Sequence, residues 1–169
     1  FVHVALTIEC PPASCARMKH LACCVVTLLA SASFAADWPQ YRGANSDGTS
    51  PETNLLKSWP QEGPRVVWKA PIGESFGSFA VSQGKAFAFF ERGGNEVCVA
   101  LDAATGKELW ATPVDKTIFE RQGGNGPRST PTYDDGLLCA QGAQGEFRCL
   151  DAATGRVVWA KNVLAENGA

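Results

Sequence analysis

Eleven residues of this chain are written nearly twice. "ALDAATGKELW", Ala100 to Trp110, returns as "CLDAATGRVVW", Cys149 to Trp159. The identical hexamer, Leu101 to Gly106 and Leu150 to Gly155, is followed in both copies by a basic residue and, at one fixed offset, by Trp. Self-similarity at a period of about 20 to 50 residues marks a solenoid, a propeller or an array, in which each unit buries its apolar face only against its neighbours. The local structure of the unit decides among these.

From Arg65 onward, short apolar runs alternate with turn signals: "RVVWKAPI", "SFAVS", "KAFAFFE", "EVCVALD", "KELWATPV", then "STPTYD", "GLLCAQG", "EFRCLD" and "RVVWAKNV". None has the length of a typical helix, and apolar spacing of three and four is nowhere sustained, so the spacing predicts an all-β protein. Gln83-Gly84 and Asp135-Gly136 are placed to join the first two strands of each unit. Gly93-Gly94-Asn95 and Gly142-Ala143-Gln144-Gly145 join the next two, all with residues that tolerate positive φ. The third turn is the duplicated motif. Asp102 is positioned to accept hydrogen bonds from the amides of Ala104 and Thr105, and Gly106 to take the left-handed conformation that returns the chain antiparallel. Trp110 then lies along the last strand, broad enough to cover the joint with the next sheet while its indole N–H finds a carbonyl. Asp151, Thr154, Gly155 and Trp159 repeat the scheme. Each unit is a four-stranded meander, and tandem meanders of this kind form propeller blades, whose ring protects the sheet edges.

The motif resembles the tryptophan-docking pattern of the PQQ-like repeat family, Ala-x-Asp-x-x-Thr-Gly-x-x-x-Trp. Ala100, Asp102, Thr105, Gly106 and Trp110 match throughout; in the second copy Cys149 replaces the Ala, and Asp151, Thr154, Gly155 and Trp159 match. The resemblance covers Arg65 to about Val163 and implies β-propeller blades of four antiparallel strands. Blade 1 is expected over 76–118 and blade 2 over 119–169, a partial ring of about two blades. "RVVWKAPIG", within 65–75, reads as an orphan outer strand, since no Asp-x-x-Thr-Gly precedes its Trp68. The family's rings have about eight blades, so the chain reads as an N-terminal fragment.

Residues 18–35 read as a signal peptide: Met18, Lys19, the apolar run Leu21 to Ala30, then Ser33 and Ala35 at the minus three and minus one positions of a cut before Ala36. Residues 1–17 read as upstream translation outside the native protein. The protein is accordingly expected to be exported, periplasmic or extracellular, with no transmembrane segment after cleavage. Residues 36–64, rich in Gly, Pro, Asn and Ser, read as an irregular arm held to the folded body by Trp38, Tyr41, Leu55, Leu56 and Trp59. Cys98, Cys139 and Cys149 follow the cut. Register counted from the Gln144 turn sets Cys149 nearer Leu138 than Cys139, which argues against a disulfide.

The near-neutral charge, a net of −2, excludes a polyanion-binding role and with it a nucleic-acid partner. Enzymes of the wider family bind pyrroloquinoline quinone and Ca²⁺, but a hard cation needs six or more oxygens. The arm and blades carry no tight acidic cluster beyond Asp134-Asp135, which a hairpin turn accounts for, and Asp102 and Asp151 recur as structural residues do. No catalytic residue, metal site or cofactor is therefore expected in this chain; quinone and calcium would belong to further blades. His3 and His20 both precede the cut, which removes His-dependent hydrolysis and His zinc sites. The candidate ligand site is "GGNGPRSTPT", where Arg128, Ser129 and Thr130 could offer donors to an anionic or carbonyl ligand at the central channel; the competing assignment is an Arg bridging blades with Ser and Thr bonding the loop. Two functions follow from the resemblance. The first is a non-catalytic scaffold binding a protein or small molecule on the propeller face or axis, similar to the propeller lipoprotein of outer-membrane assembly. The alternative is a piece of a quinone- and calcium-dependent alcohol or sugar dehydrogenase whose catalytic residues lie in other blades.

Overall fold

The computed structural model describes residues 36–168 except 54 and 122. The leader expected over 18–35 and the upstream residues 1–17 lie outside the described residues. The described part is all-β apart from one short 3-10 turn, Ala165–Asn167. Strands β1 (Ala80–Ser82), β2 (Lys85–Arg92), β3 (Asn95–Asp102) and β4 (Glu108–Lys116) form one antiparallel meander. A second contains β5 (Thr132–Asp134), β6 (Leu137–Gln141), β7 (Glu146–Asp151) and β8 (Val157–Asn162). Both sheets run in simple sequence order, as propeller blades do.

The turns are those the sequence dictates. Gln83 and Gly84 at φ 48° and 71°, and Asp135 and Gly136 at φ 40° and 81°, make paired left-handed turns that match the twist of the strands they join. Asp135 thus serves the hairpin, as expected of the Asp134-Asp135 pair. In β2 the sequence "AFAFF" is buried on both sides: Phe87 and Phe89 point to one face, Ala86, Ala88 and Phe90 to the other. The first face packs on the second blade. Phe87, Phe89, Cys98, Ala100 and Val114 meet Leu138, Ala140, Leu150 and Ala152, with Tyr133 stacked on Phe87 at 5.9 Å and Trp110 tilted against it at 6.1 Å. The opposite face of blade 1, with Val97, Val99 and Leu101, is covered by Trp68 and Ala70. Among the described residues, blade 2 is packed on the side facing blade 1, and β8 is exposed along nearly its whole length.

Over the stretch 65–75 no ladder is formed among the described residues, and Val66, Val67 and Ile72 are exposed. Its Trp68 nevertheless docks as an outer-strand Trp would. The arm is held by fewer residues than its composition suggested. Trp38 exchanges backbone hydrogen bonds with Val81 of β1, the Pro39 carbonyl accepts the Tyr133 amide of β5, and the Asp37 carboxylate accepts the Ser82 hydroxyl at 2.6 Å. Tyr41, Leu55, Leu56 and Trp59 stay exposed; among the described residues the bonds that hold the arm come from Asp37, Trp38 and Pro39, and the later apolar residues lie beyond that anchor.

Candidate functional site

The motif residues build the joint between blades. Within each turn the Asp carboxylate accepts three bonds: Asp102 from the amides of Ala104 and Thr105 and the Thr105 hydroxyl, and Asp151 from Ala153, Thr154 and the Thr154 hydroxyl. The Thr hydroxyl bond, then the Thr amide, holds each carboxyl below the usual Asp value. Gly106 and Gly155 both sit at φ 73°, and both support a Trp ring of the preceding unit. The Trp110 indole donates to the Ala152 carbonyl at 3.2 Å, and the Thr112 hydroxyl donates to the Gly155 carbonyl at 2.7 Å. Trp68 does the same one unit earlier, donating to the Ala103 carbonyl at 2.9 Å. A Cβ at Gly155 would lie 2.6 Å from the Trp110 ring, and one at Gly106 2.6 Å from Trp68. Glycine is thus required twice over, for its dihedral and for the face it leaves bare. Trp159 has no such turn to rest on among the described residues. It leans on Phe147 instead, stacked at 5.4 Å and 13°, and stays 43% exposed. Trp110 thus rests on the turn of the following unit.

Arg128, Ser129 and Thr130 do come together before β5, but their polar atoms are engaged. The Arg128 guanidinium donates to the Gly126 carbonyl and, at 2.9 Å, to that of Gly124. It also lies 3.6 Å from the Glu120 carboxylate and 4.4 Å over the Phe76 ring. The Ser129 hydroxyl donates to the Gln141 carbonyl at 2.6 Å, and Thr130 accepts the Ser78 amide at 2.9 Å. Arg128 thus grips its own loop and stacks on the segment before β1, while Ser129 bonds β6 and Thr130 bonds the segment before β1. An open depression of about 500 Å³ beside it is lined by Ile118, Glu120, Arg128, Ser129 and the turn Gln141 to Ala143.

A second fastening between the blades was not foreseen. Glu96, with no exposed surface, accepts the Ala143 amide at 2.8 Å through one carboxylate oxygen, and its other oxygen has no partner. Beside it, Asp115 accepts the amides of Gln144 and Glu146 at 2.9 and 3.2 Å, and Arg148 of blade 2 donates to the Pro113 carbonyl of β4. Neither carboxylate belongs to the duplicated segment, so repetition gave no signal. The one clue was a charge at the head of the apolar run "EVCVALD". Burial, the largest influence, raises the Glu96 pKa, helped by Asp115 and opposed by the Ala143 amide and Arg128. An acid whose folded pKa is raised favours folding when protonated. Stability is therefore expected to rise as pH falls from neutral through the folded value toward the ordinary 4.5. Glu96→Gln, which keeps the acceptor for Ala143, should flatten that slope in urea titrations across the window; an unchanged slope would assign it elsewhere.

The carboxylates here do not fit a calcium site. Among the described residues no three of His, Cys, Asp and Glu converge on one point, and the Asp residues of the motif are consumed by their turns. No helix of the described residues is long and apolar enough to cross a membrane.

Four-stranded meanders fastened Trp-on-turn define a repeat β-propeller of the PQQ-like class. The family model described as outer membrane protein assembly factor BamB matches residues 56–168. The chain belongs to that family. Among curated proteins it is 36% identical over 72 residues to the outer membrane protein assembly factor BamB of Burkholderia pseudomallei, covering 41% of this chain and 19% of that protein. Among solved structures, the quinohemoprotein alcohol dehydrogenase of Comamonas testosteroni superposes with a TM-score of 0.52 at 18% identity, over 76% of this chain and 19% of the enzyme; it shares the fold. BamB from Moraxella catarrhalis aligns with a TM-score of 0.20 at 22% identity, over 47% of this chain and 34% of that one. The chain spans about a fifth of the length of the curated relative it matches.

Proposed function

We propose that this chain is part of an exported PQQ-like propeller that serves as a non-catalytic scaffold, binding a protein partner in outer-membrane assembly. The observation that carries the reading is how the charged residues are used. Asp102, Asp151, Glu96, Asp115 and Arg128 all serve turns, loops or blade joints, which suits a rigid display surface. The BamB relationship supports the same reading, and the periplasm is the compartment it implies. The signal peptide over 18–35 is proposed as the route there.

The test is calorimetric titration of the protein, purified from the periplasm, with pyrroloquinoline quinone and Ca²⁺, alongside a dye-linked alcohol oxidation assay and co-purification with the outer-membrane assembly machinery. Co-purification without cofactor heat or turnover is expected. Stoichiometric quinone binding with turnover would overturn the scaffold and make the protein a quinone- and calcium-dependent dehydrogenase.

A further inference from the structure

We propose that Cys139 and Cys149 form a disulfide, a covalent modification site peculiar to the second blade, closed by thiol–disulfide exchange with a small disulfide such as oxidised glutathione. This is independent of whether the propeller binds a protein or a cofactor. The ladder pairs Leu138 with Leu150 and Cys139 with Cys149, so the register read from the sequence was wrong by one residue. The three-residue loop Ala143–Gly145 is closed by the bond from the Gly142 amide to the Glu146 carbonyl, and this centres the hairpin on Gln144. At the other end the Ala152 amide bonds to the Gly136 carbonyl. Hydrogen-bonded pairs alternate along an antiparallel ladder, so 136–152, 138–150, 140–148 and 142–146 are the bonded pairs and Cys139–Cys149 falls between them. A non-hydrogen-bonded pair holds its Cα atoms about 4.5 Å apart with side chains on one face, within the span of about 4.4 to 6.8 Å that a disulfide bridges.

Both residues are thiols in this structure, and so is Cys98. In the first blade the equivalent cross-strand pair is Phe87 and Ala100, so two sulfurs at this place are no requirement of the repeat. Continuing the row, Cys149 pairs with Trp159, which sets the sulfurs on the face of blade 2 turned away from blade 1. Cys149 is buried; Cys139 is partly exposed. Cys98, on β3 of the first blade, is wholly buried and serves as an internal control.

The exchange balances as follows. The Cys139 thiolate attacks oxidised glutathione, forming a mixed disulfide and releasing one glutathione thiol. The Cys149 thiolate then attacks the Cys139 sulfur and expels the second. Two protons and two electrons leave the protein, and the glutathione disulfide receives them as two thiols. Burial, then the neighbouring Cys149, pushes the Cys139 thiol up to about 11, so closure is slow at neutral pH and speeds as pH rises, because the thiolate is the nucleophile.

Trypsin makes the bond visible in the full chain, whatever its other cysteines do. Cleavage after Arg128, Arg148 and Arg156 places Cys139 and Cys149 on separate peptides, so the bond yields one linked pair. Native protein equilibrated in oxidised glutathione, then quenched by alkylation, should give the linked pair in about tenfold excess over the two alkylated peptides. Cys98 should stay reduced. Cys139→Ser should abolish the linked pair and leave Cys149 protected from alkylation until the protein is unfolded. Separate alkylated peptides equal to or in excess of the linked pair in the native protein, bonds from Cys139 or Cys149 to other cysteines, or a linked yield no greater than from the urea-unfolded chain would each overturn the assignment.

Discussion

Trp110→Ala is expected to destabilise the protein by about 3 kcal/mol, the lower end for removing a large aromatic from a core because the ring is only partly covered. It loses its contact with Phe87, its seat on Gly155 and its bond to the Ala152 carbonyl together. In a protein of these 169 residues, Trp159→Ala, the same change at the matching position of the other copy, should cost less than about 1 kcal/mol, as exposed substitutions generally do. Its ring touches Phe147 and is 43% exposed. Urea midpoints with unchanged slopes would measure both. Equal losses would mean that the fastening acts within a blade rather than between blades.

The second large effect concerns the other half of the joint. Gly155→Ala combines a left-handed backbone penalty of about 1 to 2 kcal/mol with a Cβ 2.6 Å from the Trp110 ring and 2.8 Å from the Thr112 hydroxyl. Overpacking of this kind adds about 1 to 3 kcal/mol. Gly136→Ala isolates the first contribution, since Gly136 has φ 81° and open space where the methyl would go. Gly155→Ala should therefore be clearly the more damaging of the two. Combining it with Trp110→Ala should cost less than the sum of the singles, because removal of the ring relieves the clash. Additivity in thermal or urea unfolding would sink the proposed contact.

Much of this architecture was legible in the sequence. A six-residue identity with Asp, Thr and Gly at fixed places specifies a turn through local hydrogen bonds, so the turn, the strands on either side and the two-blade count could all be read directly. What Trp110 rests on could be stated only in kind, as the next sheet. That it sits on the following copy's glycine is a tertiary fact, although the invariant spacing of Gly and Trp hinted that the two were paired. Glu96 and Asp115 were missed because a carboxylate that fastens neighbouring blades leaves no period. Arg128 was singled out for being unrepeated. In the structure its guanidinium bonds the carbonyls of Gly124 and Gly126 in its own loop. The cysteine register was lost to an error of one residue, enough in a ladder of period two to set a side chain on the opposite face.

The arm has a consequence for the order of assembly. Its bonds run from Trp38 to Val81 and from Pro39 to Tyr133, so the first described stretch of the chain waits for a strand from the second blade before it is fully held. Hairpins close locally and quickly, whereas contacts this distant in sequence form late. Few bonds hold the arm, and most lie at its beginning, so it is also the part that opens at least cost. The two meanders are thus the early, durable part of the molecule, and the arm is a late latch across their innermost strands, able to lift while both sheets remain folded.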